Sequence, residues 1–302
     1  HRLAEILRDG VYKVPEYQRN YAWEKQQVSD LWQDLENVGT AERSDHYTGT
    51  LIVKQMDNIT KLGKTYKRFE LIDGQQRLTS LTILLYCICE RLISLGSDEA
   101  KKTAQNIMSE YIFDADTGIY KLILNEGDDN FFRDVILKSP SDEMTGRRAT
   151  TVSKKRLKEA KRFFSDRVRP LSYEELQQLI GKVLNKLIAI RYEVGTEGEA
   201  GLIFEVMNDR GRPLSQLDKV KNYLIYLSYK NGDDDLAHSI NESWGEILRN
   251  TASIDRFNED SLLRYHWIVY TGESKEYDVH RRLKARLKLG TPDILSKVRN
   301  YV

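Results

Sequence analysis

The sequence predicts an α+β fold in which a region of strands and helices is followed by a mainly helical region. Three observations indicate this class. Two strand-like segments, Tyr47–Lys54 and Tyr66–Ile72, flank a polar turn, as in a β-hairpin. The second segment runs through Gly74 into a stretch with apolar residues at helical spacing. Beyond Asp233–Asp235 the apolar spacing is helical to the end of the chain.

The first elements are a short helix ending near Arg8, a strand at Val11–Val14 and an amphipathic helix. The amphipathic helix is predicted from apolar residues at helical spacing, namely Val28, Leu31, Leu35 and Val38. After Gly74, the next buried helical stripe consists of Leu78, Leu81, Leu85, Ile88 and Leu92, with Gly96 as a stop signal.

Helices are predicted at Lys155–Val168 and Tyr173–Leu184, a strand at Lys186–Val194 and a helix at Ala200–Met207. Ser215, with Asp218 three residues later, has the spacing of a capping box that begins another helix. We therefore expect a core at 1–137 to which 186–230 returns. A linker and helical segment should occupy 138–185, and a C-terminal helical region 231–302.

Bulk composition excludes several classes of protein. The chain has 302 residues, 40% of them hydrophobic, so it can fill a sizeable core. Its net charge is only +1, which gives a polyanion no global attraction. No apolar run reaches the roughly 20 residues that a membrane span needs, and the start lacks a signal peptide, so we expect a cytoplasmic location without membrane contact.

Two further features bear on the redox state and the extent of the chain. Cys87 and Cys89 lie two residues apart on a predicted helix, where they cannot form a disulfide, so reduced core cysteines are expected. The chain does not begin with Met. We expect it to be a fragment or processed form, with a C-terminal nuclease domain as one candidate for what is missing.

The segment Asp73-Gly74-Gln75-Gln76-Arg77 is the strongest candidate site. Glycine permits a tight turn and close approach of a ligand, and the following helix offers unpaired N–H groups to an anion. Arg77, unfavourably placed for the helix dipole, is suited to grip a phosphate. Asp73 is a candidate ligand for Mg²⁺, and Gln75 or Gln76 a candidate to position water or read a base. The alternative is that Asp73 caps the helix while Arg77 pairs with a surface carboxylate.

Two other segments carry candidate residues. Gln18 and Arg19 follow a predicted strand, and Trp23 near them either stacks on a base or packs under the loop. Asn208 and Arg210 precede Gly211, so they either contact a ligand or form a helix C-cap. Histidines are scattered and no zinc motif is present.

Basic residues gather in one stretch of the chain. They are Arg147, Arg148, Lys154, Lys155, Arg156, Lys158, Lys161 and Arg162. Such a run either contacts nucleic-acid phosphates or forms a solvated face. The segment Asn58–Thr65 has an incomplete P-loop pattern, but a strand is predicted directly after it, so we reject it as a Walker site.

Several motifs together resemble the N-terminal domain of GmrSD-type restriction proteins. They are Val14–Trp23 with its Tyr17-Gln18-Arg19 core, Tyr47–Thr50, Leu71–Thr79, Ile203–Gly211 and Leu214–Lys221. Their order matches the family over residues 14–221. The resemblance implies a ParB/sulfiredoxin-like small mixed sheet with packed helices, in which a glycine-arginine turn binds a nucleotide phosphate.

The resemblance also implies a function in defence against phage DNA, with binding and hydrolysis of an NTP with Mg²⁺ that regulates a nuclease. Asp73, Gln76 and Arg77 would be catalytic, and Asp73 would hold the metal. Gln18, Arg19, Gly74, Gln75, Asn208 and Arg210 would bind the nucleotide. DNA would be reached through a missing or partner nuclease domain, and a homo-oligomer is possible. A DNA-binding module that does not hydrolyse NTP, or a nuclease using the same turn, are the alternatives.

Overall fold

The computed structural model describes residues 1–39, 45–138, 149–196, 215–251, 258–273 and 278–302, together with Glu199, Ile203 and Ile254. The chain divides into two compact units, His1–Glu193 and Val194–Val302. The α+β class predicted from the sequence is confirmed, because the first unit combines a mixed sheet with helices and the described part of the second is helical.

A five-stranded mixed sheet organises the first unit. Its strands are β1 (Gly10–Lys13), β2 (His46–Lys61), β3 (Lys64–Asp73), β6 (Leu122–Ile123) and β7 (Leu187–Val194), in the order β6-β1-β3-β2-β7. β1 runs parallel to both β3 and β6, whereas β2 and β3 are antiparallel. A separate small hairpin joins β4 (Phe113–Asp114) to β5 (Ile119–Tyr120).

The predicted hairpin is confirmed, but it is longer than its sequence pattern indicated. β2 continues through Asn58, and the turn consists of Leu62 and Gly63, both with positive φ. Two-residue turns of this kind match the twist of antiparallel strands, which explains why both strands extend to the turn. The P-loop-like segment Asn58–Thr65 therefore lies in the hairpin, as its rejection predicted.

Seven helices of the first unit pack around this sheet and one another. They are α1 (Leu3–Asp9), α2 (Lys25–Asn37), α3 (Gln75–Ser94), α4 (Asp98–Ile107), α5 (Glu126–Phe131), α6 (Val152–Val168) and α7 (Tyr173–Gly181). α3 lies at the centre of the core, with almost all of its first fifteen residues buried, and it packs against α4, α6 and α7. Cys87 and Cys89 on α3 are buried free thiols, as expected.

α6 begins three residues earlier than predicted, because the Thr151 side chain accepts a hydrogen bond from the Lys154 backbone and caps the helix. α7 ends at Gly181, and the residues after it, Lys182–Lys186, form a π-helical turn. The predicted helix at Ala200–Met207 and most of the predicted loop before α6 lie outside the described residues.

The second unit is built around α8 (Gln216–Lys230), whose apolar face is buried. The helices α9 (Asp234–Thr251), α10 (Glu259–Thr271), α11 (Val279–Arg286) and α12 (Ile294–Tyr301) pack against it. Ser215 caps α8 by accepting a hydrogen bond from the Asp218 N–H, as its spacing predicted. No helix among the described residues has the length and apolar content needed to cross a bilayer.

A buried lysine joins α6 to α3. The side chain of Lys161 has no exposed surface; its Nζ donates to the Ile136 carbonyl at 2.7 Å and lies 3.5 Å from Oε1 of Glu90. The ammonium also lies 4.6 Å from the centre of the Tyr86 ring. Burial lowers the pKa of Lys161, and the negative charge of Glu90 opposes that shift. The interior therefore holds this cation through several partners at once.

We expect Lys161→Ala to lower the free energy of unfolding by about 3 kcal/mol, because it leaves the half-buried Glu90 carboxylate and the buried Ile136 carbonyl without this cation. Urea unfolding monitored by circular dichroism measures the change. Lys155→Ala, on the exposed face of the same helix, is the matched control and should change it by less than about 0.5 kcal/mol. Equal losses in the two variants would contradict a structural role for the buried ammonium.

Candidate functional site

The candidate site lies where β3 turns into α3. Gly74 has φ +90° and ψ 4°, a left-handed conformation that glycine adopts without strain, and it occupies the N-cap position. Glycine has no side chain with which to cap the helix. The first turn of a helix twenty residues long therefore presents backbone N–H groups and the positive end of the helix dipole.

Two glycines allow close packing around this turn. A Cβ on Gly74 would overlap the Leu51 side chain and would lie 3.2 Å from the Thr50 carbonyl oxygen. A Cβ on Gly49, which has φ +120°, would lie 2.6 to 2.7 Å from the guanidinium atoms of Arg77. Gly49 thus makes the space that Arg77 occupies, and Arg77 donates to the Thr50 carbonyl at 3.3 Å.

The two glutamines face the loop at residues 18–23 and are both buried. The Gln76 Oε1 accepts hydrogen bonds from the backbone N–H groups of Ala22 at 2.6 Å and Trp23 at 3.3 Å, and its Nε2 donates to the Asn20 carbonyl at 3.1 Å. Gln75 donates to the Arg19 carbonyl at 3.1 Å. These contacts position the loop against the start of α3.

Gln18 completes this network from the loop side. Its Nε2 donates to the carbonyl of Ile72 at 2.9 Å, and its Oε1 lies 3.5 Å from Nε2 of Gln75. The structure thus brings Gln18 and Arg19 beside the turn, as the resemblance implied. The amide of Gln18 contacts protein groups rather than open space.

A cavity of about 10 Å³ lies behind the glutamines, enough for one water molecule. Arg19, Asn20, Gln75, Gln76 and Thr79 line it together with Asn125 and Asp128. Both of the last two are almost fully buried, and Oδ1 of Asn125 and Oδ2 of Asp128 have no hydrogen-bond partner among the described residues. Burial raises the pKa of Asp128. A cavity of this size does not admit a nucleotide, so the glutamine side of the turn is packed.

The opposite side of the turn is half-buried and charged. Burial raises the pKa of Asp73, while the backbone N–H of Gly74 and the charges of Arg77 and Arg19 act to lower it. Burial likewise lowers the pKa of Arg77, and the negative charge of Asp73 opposes that shift. Burial thus disfavours the charged form of both groups, which is typical of functional sites.

Two residues that act on Arg77, and a third that pairs with one of them, were not predicted as site residues. Asp34 on α2 and Tyr47 on β2 both act electrostatically on Arg77. His46, at the start of β2, lies with its Nε2 3.4 Å from Oδ2 of Asp34. Tyr47 belongs to the Tyr47–Thr50 motif, so the sequence could have identified it as a site residue. The sequence did not indicate a role for Asp34, because the spacing of residues in a helix does not show which strand the helix will contact.

The described residues contain no group of three or more His, Cys, Asp or Glu side chains placed to hold a metal ion. Asp73 is a single carboxylate. Mg²⁺ is often bound by one or two carboxylates, with water and phosphate oxygens as its other ligands. The residues at the turn fit that mode of binding, in which a nucleotide supplies part of the ligand set.

The structure therefore brings together Gln18, Arg19 and the five residues from Asp73 to Arg77. Asn208 and Arg210 lie outside the described residues, so their predicted contribution to the site stays a prediction. The arrangement combines donors for an anion with one carboxylate for a metal.

Comparison with known proteins adds a family match. Residues 3–225 match the family described as GmrSD restriction endonuclease, N-terminal domain. The chain is also similar to an uncharacterized protein of Methanocaldococcus jannaschii, with 25% identity over 300 residues that cover 93% of this chain and 49% of that protein. The chain thus spans about half the length of this curated relative.

We expect Asp73→Asn to make the protein more stable at pH 7, because burial disfavours the charge that the variant removes. The raised pKa means that the folded state binds the proton more readily than the unfolded state, so stability falls as pH rises from 3.8 through the raised pKa. The stability difference between Asp73→Asn and the native chain should therefore vanish below pH 3.8 and reach its full value above the raised pKa of Asp73.

Urea unfolding at several pH values measures this difference. Asp57→Asn, an exposed position on β2, serves as the control and should change the stability little at any pH. A variant Asp73→Asn that is less stable than the native chain at pH 7 would show that the attraction of Arg77 and Arg19 outweighs burial.

Proposed function

Because the chain belongs to the family of GmrSD restriction endonuclease N-terminal domains, we propose that it binds and hydrolyses a nucleoside triphosphate with Mg²⁺ and thereby regulates a nuclease in DNA restriction and defence. The observation that carries this proposal is the half-buried pair Asp73 and Arg77 at an α3 N-terminus without a side-chain cap. The proposal places the nucleotide phosphates there.

The backbone supports an anion at this turn. Gly74 has no side chain to cover the first N–H groups of α3, and a helix N-terminus carries partial positive charge. Arg77 lies in the same first turn. A guanidinium has five N–H donors, and the contact with Thr50 uses one, so Arg77 is suited to grip phosphate oxygens while staying anchored to β2.

Asp73 would hold the metal ion, and Mg²⁺ bound with the phosphates would neutralise charge on them. Arg19 adds positive charge near Asp73 from the loop side. The amide of Gln76 contacts residues 20–23 on the packed side of the turn, so its role in the proposed hydrolysis would be to position that loop. Gln18 and Gln75 hold the loop that carries Arg19.

Regulation of a nuclease is the part of the proposal that reaches beyond this chain. The chain covers 49% of its relative from Methanocaldococcus jannaschii, so a whole protein of this type has room for another domain. A nucleotide and Mg²⁺ bound by Asp73 and Arg77 would change the charge at the turn, and that local change is what would be transmitted. DNA and the nuclease would be the partners of that change.

Calorimetric titration with the common NTPs in the presence of Mg²⁺ tests the site. We expect binding heat with the native chain and a loss of affinity of about tenfold or more in Asp73→Ala and in Arg77→Ala, since each removes a charge-assisted contact. Phosphate release over time measures hydrolysis in the same samples. Unchanged affinity in both folded variants would refute the site.

The same titration separates the two alternatives. Binding of DNA but not of NTP, weakening steeply with salt and lost in Arg77→Ala, would instead indicate a module that grips backbone phosphate. Plasmid nicking that needs Mg²⁺ and is lost in Asp73→Ala would indicate a nuclease. One carboxylate is a sparse ligand set for metal-assisted cleavage of DNA, so we rank the nuclease last.

A second test uses the space that Gly49 provides. Gly49→Ala should displace the guanidinium of Arg77 and weaken NTP binding about tenfold, because the new Cβ would lie 2.6 to 2.7 Å from it. Gly63→Ala is the control: Gly63 also has positive φ (+77°), but its Cβ would meet no atom within 4 Å. Both variants bear backbone strain, so equal effects on binding would contradict a specific role for Arg77.

A further inference from the structure

A cleft of about 460 Å³ lies in the first unit between the start of α2 and the length of α6. Its apolar lining comes from Trp23, Val28, Ala160 and Phe163, of which the two aromatic residues are each 9% exposed. The volume falls within the range of about 300–1,000 Å³ that is usual for small-molecule sites. None of these residues belongs to the turn at Gly74, so the cleft is a separate place in the fold.

The rim of the cleft is charged, and α6 supplies most of it. α6 carries seven basic and two acidic residues, whereas the whole chain has a net charge of only +1. Arg156, Arg162 and Arg167 line the cleft on this side, and Lys25 lies on the α2 side. Four basic and three acidic side chains thus line the cleft beside its aromatic residues, a set that suits a ligand with both an anionic group and hydroxyl groups.

The arginines are held in defined positions. The guanidinium carbon of Arg167 lies 3.5 Å from the centre of the Phe163 ring and 5.8 Å from the Trp32 ring. Arg156 pairs with Glu24 at 2.5 Å across the mouth of the cleft. Planar guanidinium groups and aromatic rings are the surfaces on which nucleobases stack, and guanidinium groups also bind phosphate.

The acidic residues of the rim fit the same ligand. The pair with Arg156 compensates Glu24. The other two carboxylates lie further along α6, Glu159 about one helical turn and Asp166 nearly three turns beyond Arg156. A simple polyanion would be repelled by these carboxylates. A ribose would instead donate its hydroxyl groups to them, as ribose hydroxyls do to the acidic residue of dinucleotide folds.

We propose that the cleft between α2 and α6 is a second binding site, for a ligand that joins a nucleobase, a ribose and a phosphate. The base packs against Trp23 and against the guanidinium of Arg167 that is stacked on Phe163, the phosphate meets Arg156, Arg162 and Lys25, and the ribose lies between them. The ligand is either a free nucleotide or one nucleotide of a single strand. The site does not depend on NTP binding at Asp73.

Trp23, which lines the cleft, connects it to the turn at Gly74. The backbone N–H of Trp23 is bonded to Gln76, so the residue that meets the base is held by the first turn of α3. A ligand that shifts Trp23 therefore acts on the Gln76 contacts. The cleft is placed to sense a nucleotide and to pass that occupancy to the candidate NTP site.

Calorimetric titration of the whole chain with nucleoside 5′-monophosphates tests the proposal, with ribose 5-phosphate and adenosine as half-ligands and deoxyAMP as the probe of the ribose contact. We expect the complete nucleotides to bind at least about tenfold tighter than either half-ligand, because stacking and phosphate contacts contribute together. DeoxyAMP should bind more weakly than AMP. Equal binding of ribose 5-phosphate and the nucleotides, or no binding of any, would overturn the proposal.

Variants locate the binding. Arg162→Glu, at an exposed position on α6, should weaken it about tenfold, whereas Lys101→Glu, an equal charge reversal at an exposed position on α4, should leave it unchanged. Phe163→Leu keeps an apolar side chain and should also weaken binding, with thermal melting to confirm folding. Equal effects of the two charge reversals would refute the cleft as the site.

Two further arms separate the sites and the sources of the ligand. Asp73→Ala and Arg77→Ala should leave monophosphate binding intact, and loss of binding in these variants alone would assign it to the turn and overturn the proposal.

A short single-stranded oligonucleotide that binds tighter than the monophosphates, and whose binding is weakened by Arg162→Glu, identifies a strand as the source of the ligand. Equal affinities, with the same sensitivity to Arg162→Glu, identify a free nucleotide. Both outcomes support the site.

Discussion

The hydrogen bonds of the Gln76 side chain fix the loop at residues 20–23 to the first turn of α3, next to both candidate sites. One buried amide accepts from Ala22 and Trp23 and donates to Asn20, so three backbone groups of a loop depend on one residue in the first turn of α3. Each such bond contributes about 1 kcal/mol, but a buried group left without its partner costs about 1–3 kcal/mol. The loop and the helix therefore keep their relative position.

This constraint divides the turn at Gly74 into two sides with different physical character. On one side, the side chains of Gln18, Gln75 and Gln76 form hydrogen bonds that join the loop to the turn, and they leave a cavity that can hold one water molecule. On the other, burial disfavours the charged forms of Asp73 and Arg77, and each charge favours the other. Packing on the first side supplies stability, whereas charge on the second side has a cost in stability that a phosphate and a metal ion would offset.

The same loop reaches a second surface. Trp23 takes its backbone contact from Gln76 and contributes its ring to the cleft between α2 and α6. The turn and the cleft thus share a short, hydrogen-bonded segment rather than a long path through the core. If both proposed sites bind nucleotides, this segment would be a short physical route for coupling the two events.

Much of the fold could be predicted from sequence because its signals are local. The alternation before Gly74 and the leucine spacing after it fixed β3 and α3, and the hairpin, β7 and α6 followed from similar patterns. Prediction was weaker where the turn chemistry was subtle: β2 and β3 continue to a turn at Leu62 and Gly63, where a polar segment had indicated an earlier end.

By itself, the sequence determined the class of the fold and the five residues of the candidate turn, because a strand, a glycine and a helix adjacent in the chain must adopt that geometry locally. Only the tertiary structure decided what each residue contacts. It turned Gln75 and Gln76 toward the loop, brought Asp34 into contact with His46 and within electrostatic reach of Arg77, and formed the cleft on α6. The physical reason is that these contacts join residues far apart in the chain, and no local pattern encodes which elements will meet.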